Sequence, residues 1–329
     1  MAGGAILWPV RLITRNHGPH ASRTARDFLA IEGLPLPELR GLLDSAERLL
    51  PAAVGDAQAD QRLRGKVVAN IFFEDSTRTR VSFEVAAKRL GAEVVNLGAS
   101  GSSASKGESL VDTARNIEAM GVDAIVVRTS ISGGAQLVSQ FVECPVINAG
   151  DGRHEHPTQA LLDMLSLRLR LGDLANKRIA IVGDIANSRV ARSATHAAVA
   201  LGAEVIVVGP PSLVPQGFES ITRGAGKITI THDLDSILGE IDAIMMLRIQ
   251  LERAAGNGIA SDYRTGYGLT ALRRSRLRPG ALIMHPGPVN RGVEIDDAVA
   301  DDSADSVILA QVSCGVAARM AVLLRAIAH

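Results

Sequence analysis

Residues 67–90 read VVANIFFEDSTRTRVSFEVAAKRL. Val67 to Phe73 is an apolar, strand-like run, and from Val81 to Leu90 the apolar residues recur at helical spacing instead. Between them, Asp75-Ser76-Thr77-Arg78-Thr79-Arg80 forms a strand-to-helix turn. Such a turn exposes unpaired backbone N–H groups and the positive end of the helix dipole, so it favours an anion such as phosphate. The hydroxyls of Ser76, Thr77 and Thr79 can donate to phosphate oxygens, and Arg78 or Arg80 can grip phosphate in a bidentate fork. Taken alone, the same residues also suit a hydroxyl-rich helix cap followed by surface charge.

The strand-then-helix unit repeats along the chain. Val67 to Phe73, Glu93 to Leu97, Ala124 to Val127 and Val146 to Ala149 form one set of predicted strands. Arg178 to Val182, Glu204 to Val208, Ala243 to Leu247 and Ala281 to Met284 form another. Strands alternating with longer helical stretches predict an α/β protein, here with two doubly wound parallel-sheet domains joined by interdomain helices. Thr158 to Arg170 (TQALLDMLSLRLR) has helical spacing and is read as the joining helix, and Gln311 to Ile327 as a closing one. The expected division is a basic extension over 1–26, a first domain over 27–158, a second over 159–305, and a carboxy-terminal helix over 306–329 that returns to the first domain.

A length of 329 residues suits two such domains. The 35 basic and 35 acidic residues cancel, so no overall field favours nucleic acid or an acidic membrane surface, and any anion must be caught locally. No uninterrupted apolar run approaches the roughly 20 residues that span a bilayer, which excludes a membrane partner from the expectation. Cys144 and Cys314 have neither zinc-ligand spacing nor the density of a disulfide scaffold, which fits a cytoplasmic protein. Met1 to Arg26 contains Arg11, Arg15, Arg23 and Arg26 and no acidic residue. Transit peptides show this pattern, and so does a plain basic extension.

Four further segments carry polar chemistry. In Asn148-Ala149-Gly150-Asp151-Gly152 and His156-Pro157-Thr158-Gln159, a strand ends, a glycine-rich turn follows, and a helix begins with His156 and Gln159 one turn apart. Imidazole and amide suit a carbonyl oxygen and an NH2 group, and a helix cap with an incidental histidine fits as well. Ser102 to Ser109 (SSASKGES) is a small-residue loop with a lone lysine, Lys106, either a solvated linker or a loop that closes over a ligand. Gly183 to Arg189 (GDIANSR) and Leu247 to Gln250 (LRIQ) each follow a strand, which puts Arg189, Arg248 and Gln250 in the layer where open α/β sheets collect ligands. Two arginines suit a dicarboxylate. A dinucleotide site is disfavoured, because Gly183 stands without the rest of a GxGxxG series and no acidic ribose ligand is in a clear position.

Together and in this order, FFEDSTRTR, SSASKGES, HPTQ and His285 to Ile295 (HPGPVNRGVEI) resemble the aspartate/ornithine carbamoyltransferase family from about residue 28 to the end. The resemblance implies that Ser76, Thr77, Arg78 and Thr79 hold the phosphate of carbamoyl phosphate, that Arg128 bridges phosphate and carbonyl oxygens, and that His156 and Gln159 complete the carbamoyl site. It implies backbone carbonyls of Pro286 and Gly287 near the carbamoyl amide, and Arg189, Arg248 and Gln250 on the acceptor's carboxylates. Arg128, His156, Thr79 and Lys106 are the implied catalytic set. The loop with Ser102 and Lys106 reaches a neighbouring subunit's site, giving a homotrimer with shared active sites, free or joined to a regulatory chain or a dihydroorotase. No metal or cofactor is implied. A non-catalytic relative would be expected to have lost Arg128, His156 or Lys106, and all are present.

The second half chooses the acceptor. Ornithine enzymes of the family typically have Cys in the histidine turn, an Asp-containing SMG motif and a His-Cys-Leu-Pro loop. This chain has Thr158, no SMG, and His285-Pro286-Gly287-Pro288. Arg248 would also repel cationic ornithine. Aspartate is therefore the expected acceptor, and pyrimidine synthesis the expected setting.

Overall fold

The computed structural model describes residues 26–98, 108–249, 263–301 and 304–328. Its first sheet contains β1 (Val67–Phe72), β2 (Glu93–Gly98), β3 (Ala124–Thr129) and β4 (Val146–Asp151) in the order β2-β1-β3-β4. The second contains β5 (Arg178–Val182), β6 (Glu204–Val208), β7 (Lys227–Thr231), β8 (Ala243–Met246) and β9 (Leu282–Met284) in the order β7-β6-β5-β8-β9. Every strand pair is parallel, so each connection must cross over a face of its sheet.

Helix α1 (Leu36–Val54) precedes the first sheet, and the crossovers before the link are α2 (Thr77–Arg89), α3 (Leu110–Ala119) and α4 (Gly134–Ser139). After them come α5 (Pro157–Leu171), α6 (Arg189–Ala200), the short α7 (Tyr263–Tyr267), α8 (Ala271–Ser275) and α9 (Asp297–Ala300), and the final α10 (Ile308–Ile327). Along β1 the side chains alternate between two cores. Val68 and Phe72 join Phe83 of α2 and Leu161 of α5, while Ala69 and Ile71 join Ile117 of α3 and Val138 of α4. β5 alternates likewise, Ile179 and Ile181 entering the same large core as Val68 and Ala180 and Val182 a separate one. One face of each sheet is thus covered by a continuous core running through α5, α6 and α10, which fixes the two sheets relative to each other.

Two expectations shift. β7 (KITIT) was not foreseen, because this edge strand alternates apolar Ile228 and Ile230 with exposed polar residues and never forms an apolar run. The first site helix begins at Thr77, ahead of Val81, since Ser76 caps it. Helix α10 has the length and apolar character of a membrane span, but its apolar residues pack on α1, α5 and α2 inside the molecule.

Candidate active site

Each sheet has one point at which successive strands are laid down to opposite sides, between β1 and β3 in the first and between β5 and β8 in the second. The crevice beyond the carboxyl ends at such a point collects ligands. Here the two crevices merge. Glu74 to Thr79 after β1, Arg128 of β3, Asn187 to Arg189 after β5, and Leu247 and Arg248 after β8 all line one cavity of about 830 Å³. His156 and Gln159 enter it from the start of α5, and Pro286 and Gly287 from beyond β9.

Thr77, Arg78 and Thr79 form the first turn of α2, where backbone N–H groups lack helical partners. Ser76 is the N-cap: its Oγ accepts from Thr79 N at 3.4 Å, leaving the hydroxyl hydrogen to donate elsewhere. The cap and phosphate readings of this turn are compatible. Arg78 lines the cavity and Arg80 does not; the Arg80 guanidinium lies toward Gly98 at the end of β2. Residues two apart on a helix do not share a face, which decides between the two arginines. Arg78 Nη2 donates to Pro286 O and, at 2.9 Å, to Gly287 O. Gly287 has φ +61°, and a Cβ there would come within 2.2 Å of Arg78 Nη1, so glycine allows this approach.

Four arginines line the cavity, Arg78, Arg128, Arg189 and Arg248, and an acidic residue with no role evident in the sequence lies among them. Glu74 Oε1 accepts from Arg128 Nη2 at 2.7 Å, and its carboxylate also takes both Nη atoms of Arg189, one at 3.0 Å. Burial would raise the Glu74 pKa, but the hydrogen bond from Arg189 and the charges of Arg128 and Arg189 outweigh it and hold the carboxyl below its usual range. Arg128 also donates to Ala149 O at 3.1 Å. Burial, then repulsion from Arg189, brings it down to about 10, still charged at neutral pH. Gly150 separates the two guanidiniums: with φ +114°, a Cβ there would lie 3.0 Å from Arg189 Nε and 3.1 Å from Arg128 Nη1.

His156 is buried, and its Nδ1 has no hydrogen-bond partner among the described residues. Burial first, and then the charges of Arg128, Arg189, Arg319 and Arg78, push its pKa well below the ordinary value, so the ring is neutral. Gln159 Nε2 donates to Asp163 Oδ1 at 2.9 Å, and Gln311 Nε2 of α10 donates to the same oxygen at 2.7 Å. Burial pushes the Asp163 carboxyl up to about 7 against those two hydrogen bonds. Beyond β9, His285 Nδ1 accepts from Gly287 N at 2.7 Å, which leaves Nε2 to donate to Glu294 at 3.1 Å. Asn290 then ties this loop to Ile249 O beside Arg248 at 2.9 Å.

Of the site residues expected from sequence, Ser76, Thr77, Arg78, Thr79, Arg128, His156, Gln159, Arg189, Arg248, Pro286 and Gly287 line the one cavity. Ser102, Lys106 and Gln250 lie outside the described residues. Glu74, Asp163 and Gln311 have no role in the sequence-based expectation, and His285 enters it only as a member of HPGPVNRGVEI. Each is an ordinary polar residue in sequence, given a role only by partners from distant segments. Glu32, Glu155 and His196 gather within 4.8 Å, but the Glu155 carboxylate already accepts from Ile31 N, Glu32 N and Ser193 Oγ, at 2.8 to 2.9 Å. It reads as a tie between segments.

Comparison with known proteins identifies the family. Residues 26–169 match the model of the aspartate/ornithine carbamoyltransferase carbamoyl-P binding domain, and residues 175–326 that of the Asp/Orn binding domain. The chain is 55% identical over 300 residues to the aspartate carbamoyltransferase catalytic subunit of Myxococcus xanthus, covering 91% of this chain and 98% of that one. It is similar to aspartate transcarbamoylase from Trypanosoma cruzi in complex with carbamoyl aspartate and phosphate, with a TM-score of 0.84, 29% identity and coverage of 95% and 99%. Ornithine carbamoyltransferase from Pyrococcus furiosus gives a TM-score of 0.82 at 29% identity, covering 92% and 97%. The chain belongs to the aspartate/ornithine carbamoyltransferase family.

Proposed function

We propose that this cavity transfers the carbamoyl group of carbamoyl phosphate to the amine of L-aspartate, giving N-carbamoyl-L-aspartate and phosphate for pyrimidine synthesis. The observation that carries the reading is the convergence, at the two facing switch points, of a hydroxyl-rich helix N-terminus, four arginines and a neutral imidazole. The relative from Myxococcus xanthus, an aspartate carbamoyltransferase catalytic subunit, supports aspartate as the acceptor over ornithine.

The phosphate is held at the start of α2 by Ser76, Thr77, Arg78 and Thr79, with Arg128 spanning phosphate and carbonyl oxygens. Neutral His156 donates N–H to the carbonyl oxygen, and Gln159 accepts from the NH2 group. Arg189, Arg248 and Gln250 meet the aspartate carboxylates. The aspartate amine attacks the carbonyl carbon, negative charge gathers on the oxygen, and the bond to the phosphate oxygen breaks. Departing phosphate takes the amine proton, so the step needs neither a covalent enzyme intermediate nor a protein base. Arg128, His156 and Thr79 stabilise the oxyanion, and closing the cleft excludes water. Arg78 cannot hold both the Pro286 and Gly287 carbonyls and the phosphate with the same nitrogen. Phosphate binding draws it away, and the carbamoyl NH2 takes its place at those carbonyls.

The active unit is a homotrimer in which Ser102 and Lys106 serve a neighbouring subunit's site. Cys144 and Cys314 are both free thiols, consistent with work in a reducing cytoplasm. The test is phosphate release from carbamoyl phosphate with and without L-aspartate. Release that depends on aspartate, with matching N-carbamoylaspartate, is expected; release indifferent to aspartate would overturn the reading.

A further inference from the structure

Asp163 lies one helical turn beyond Gln159 on α5 and is fully buried. Its Oδ1 receives two amide donors, Gln159 Nε2 at 2.9 Å and Gln311 Nε2 at 2.7 Å. Its Oδ2 has no hydrogen-bond partner among the described residues. The other end of the Gln311 amide is also committed, because its Oε1 accepts from His285 N at 3.0 Å. An amide has one donating and one accepting end. Turning either glutamine over would bring its oxygen against the Asp163 oxygen, and for Gln311 would also set NH2 against the His285 N–H. With Asp163 ionised, the network therefore has one consistent orientation, and in it the end of Gln159 left for the cavity is the oxygen.

We propose that Asp163 is a positioning residue that, by fixing Gln159 with its amide oxygen toward the cavity, makes the site select a transferred group bearing N–H donors. The proposal rests on the carbamoyl-transfer reading and deepens it. A carbamoyl NH2 satisfies Gln159 Oε1. An acetyl CH3 of nearly the same shape leaves that oxygen unpaired, and a site built to pair a polar group rejects the analogue that lacks it. Without Asp163 the amide can turn its NH2 into the cavity, and the preference for a donor fades.

The experiment is calorimetric binding of carbamoyl phosphate, acetyl phosphate and inorganic phosphate to the full chain and its variants, with melting temperature as the check on folding. Asp163→Leu is expected to shrink the carbamoyl-over-acetyl preference by about 10-fold, the size of one well-placed hydrogen bond, with inorganic phosphate affinity unchanged. Asp163→Asn, whose Oδ1 can still accept both glutamines and whose amide nitrogen takes the unpartnered position, is expected to restore the preference. In a Gln159→Leu background, Asp163→Leu is expected to change the preference no further. Should the leucine variant not fold, Asp163→Ala is held to the same expectations. An unchanged preference in the folded leucine or alanine variant, an asparagine variant as impaired as they are, or an additive loss in the Gln159→Leu background would each overturn the proposal. If the unsubstituted chain binds inorganic phosphate but not carbamoyl phosphate, the transfer reading falls and this proposal with it.

Discussion

Arg128 donates to Glu74 and to Ala149 O, both at the edge of the cavity, and burial brings its pKa down only to about 10. It therefore stays cationic at neutral pH, and in the proposed mechanism replacing it removes both charge and a donor to the oxyanion. Arg128→Ala is expected to lower kcat by about 10²- to 10³-fold, read from initial rates of N-carbamoylaspartate formation, with the melting temperature nearly kept. For His156 the cause of the shift decides the pH dependence. Burial and four neighbouring guanidiniums hold its pKa well below 6.5, so kcat/KM is expected to show no acid limb near 6.5 that His156→Asn abolishes. Asp163 runs the other way. Its folded pKa is raised from 3.8 to about 7, so its contribution to stability is full below its unfolded pKa and is lost as pH rises through about 7. The rise in melting temperature on Asp163→Asn should therefore be larger at pH 8 than at pH 5. His156 could be read from the sequence as part of HPTQ and Arg128 only through the family resemblance, and both line the cavity. The role of Glu74 could not, although the residue lies within FFEDSTRTR: its partner Arg189 is 115 positions away, and only the fold brings them together.

Among the elements, the turn after β4 is where geometry is tightest. Gly150 holds φ +114° and passes between Arg128 and Arg189 with no space for a Cβ. Gly150→Ala is expected to cost about 1–2 kcal/mol from the backbone alone and to lower activity more than that loss of stability accounts for, since both guanidiniums are displaced; denaturant unfolding and initial rates separate the two effects. Most strands were legible because a parallel strand covered on both faces is an unbroken apolar run, as in IAIV before Gly183. β7 was not, because an edge strand packs one face and shows only alternation. The start of α2 was misplaced because Thr77, Arg78 and Thr79 carry no apolar period. They are helical by virtue of the Ser76 cap, which places them at the anion-binding end.

For the whole molecule, the decisive fact is that the carboxyl ends of two parallel sheets face one cavity while α5, α6 and α10 tie the opposite faces together through a single core. On the proposed reading, phosphate-binding and carboxylate-binding groups come from different sheets, and the chemistry happens only where both reach. If the chains assemble into the proposed trimer with shared sites, mixing inactive Lys106→Ala chains with inactive Arg128→Ala chains, under conditions that exchange subunits, should restore activity that neither shows alone. Independent sites would leave the mixture inactive. The central claim is that this cleft carbamoylates aspartate, and a competition tests it most directly. The purified chain is given carbamoyl phosphate with equimolar L-aspartate and L-ornithine, and both carbamoyl products are quantified. N-carbamoylaspartate as the dominant product, lost in Arg128→Ala, is the expected result; citrulline as the dominant product would contradict the account.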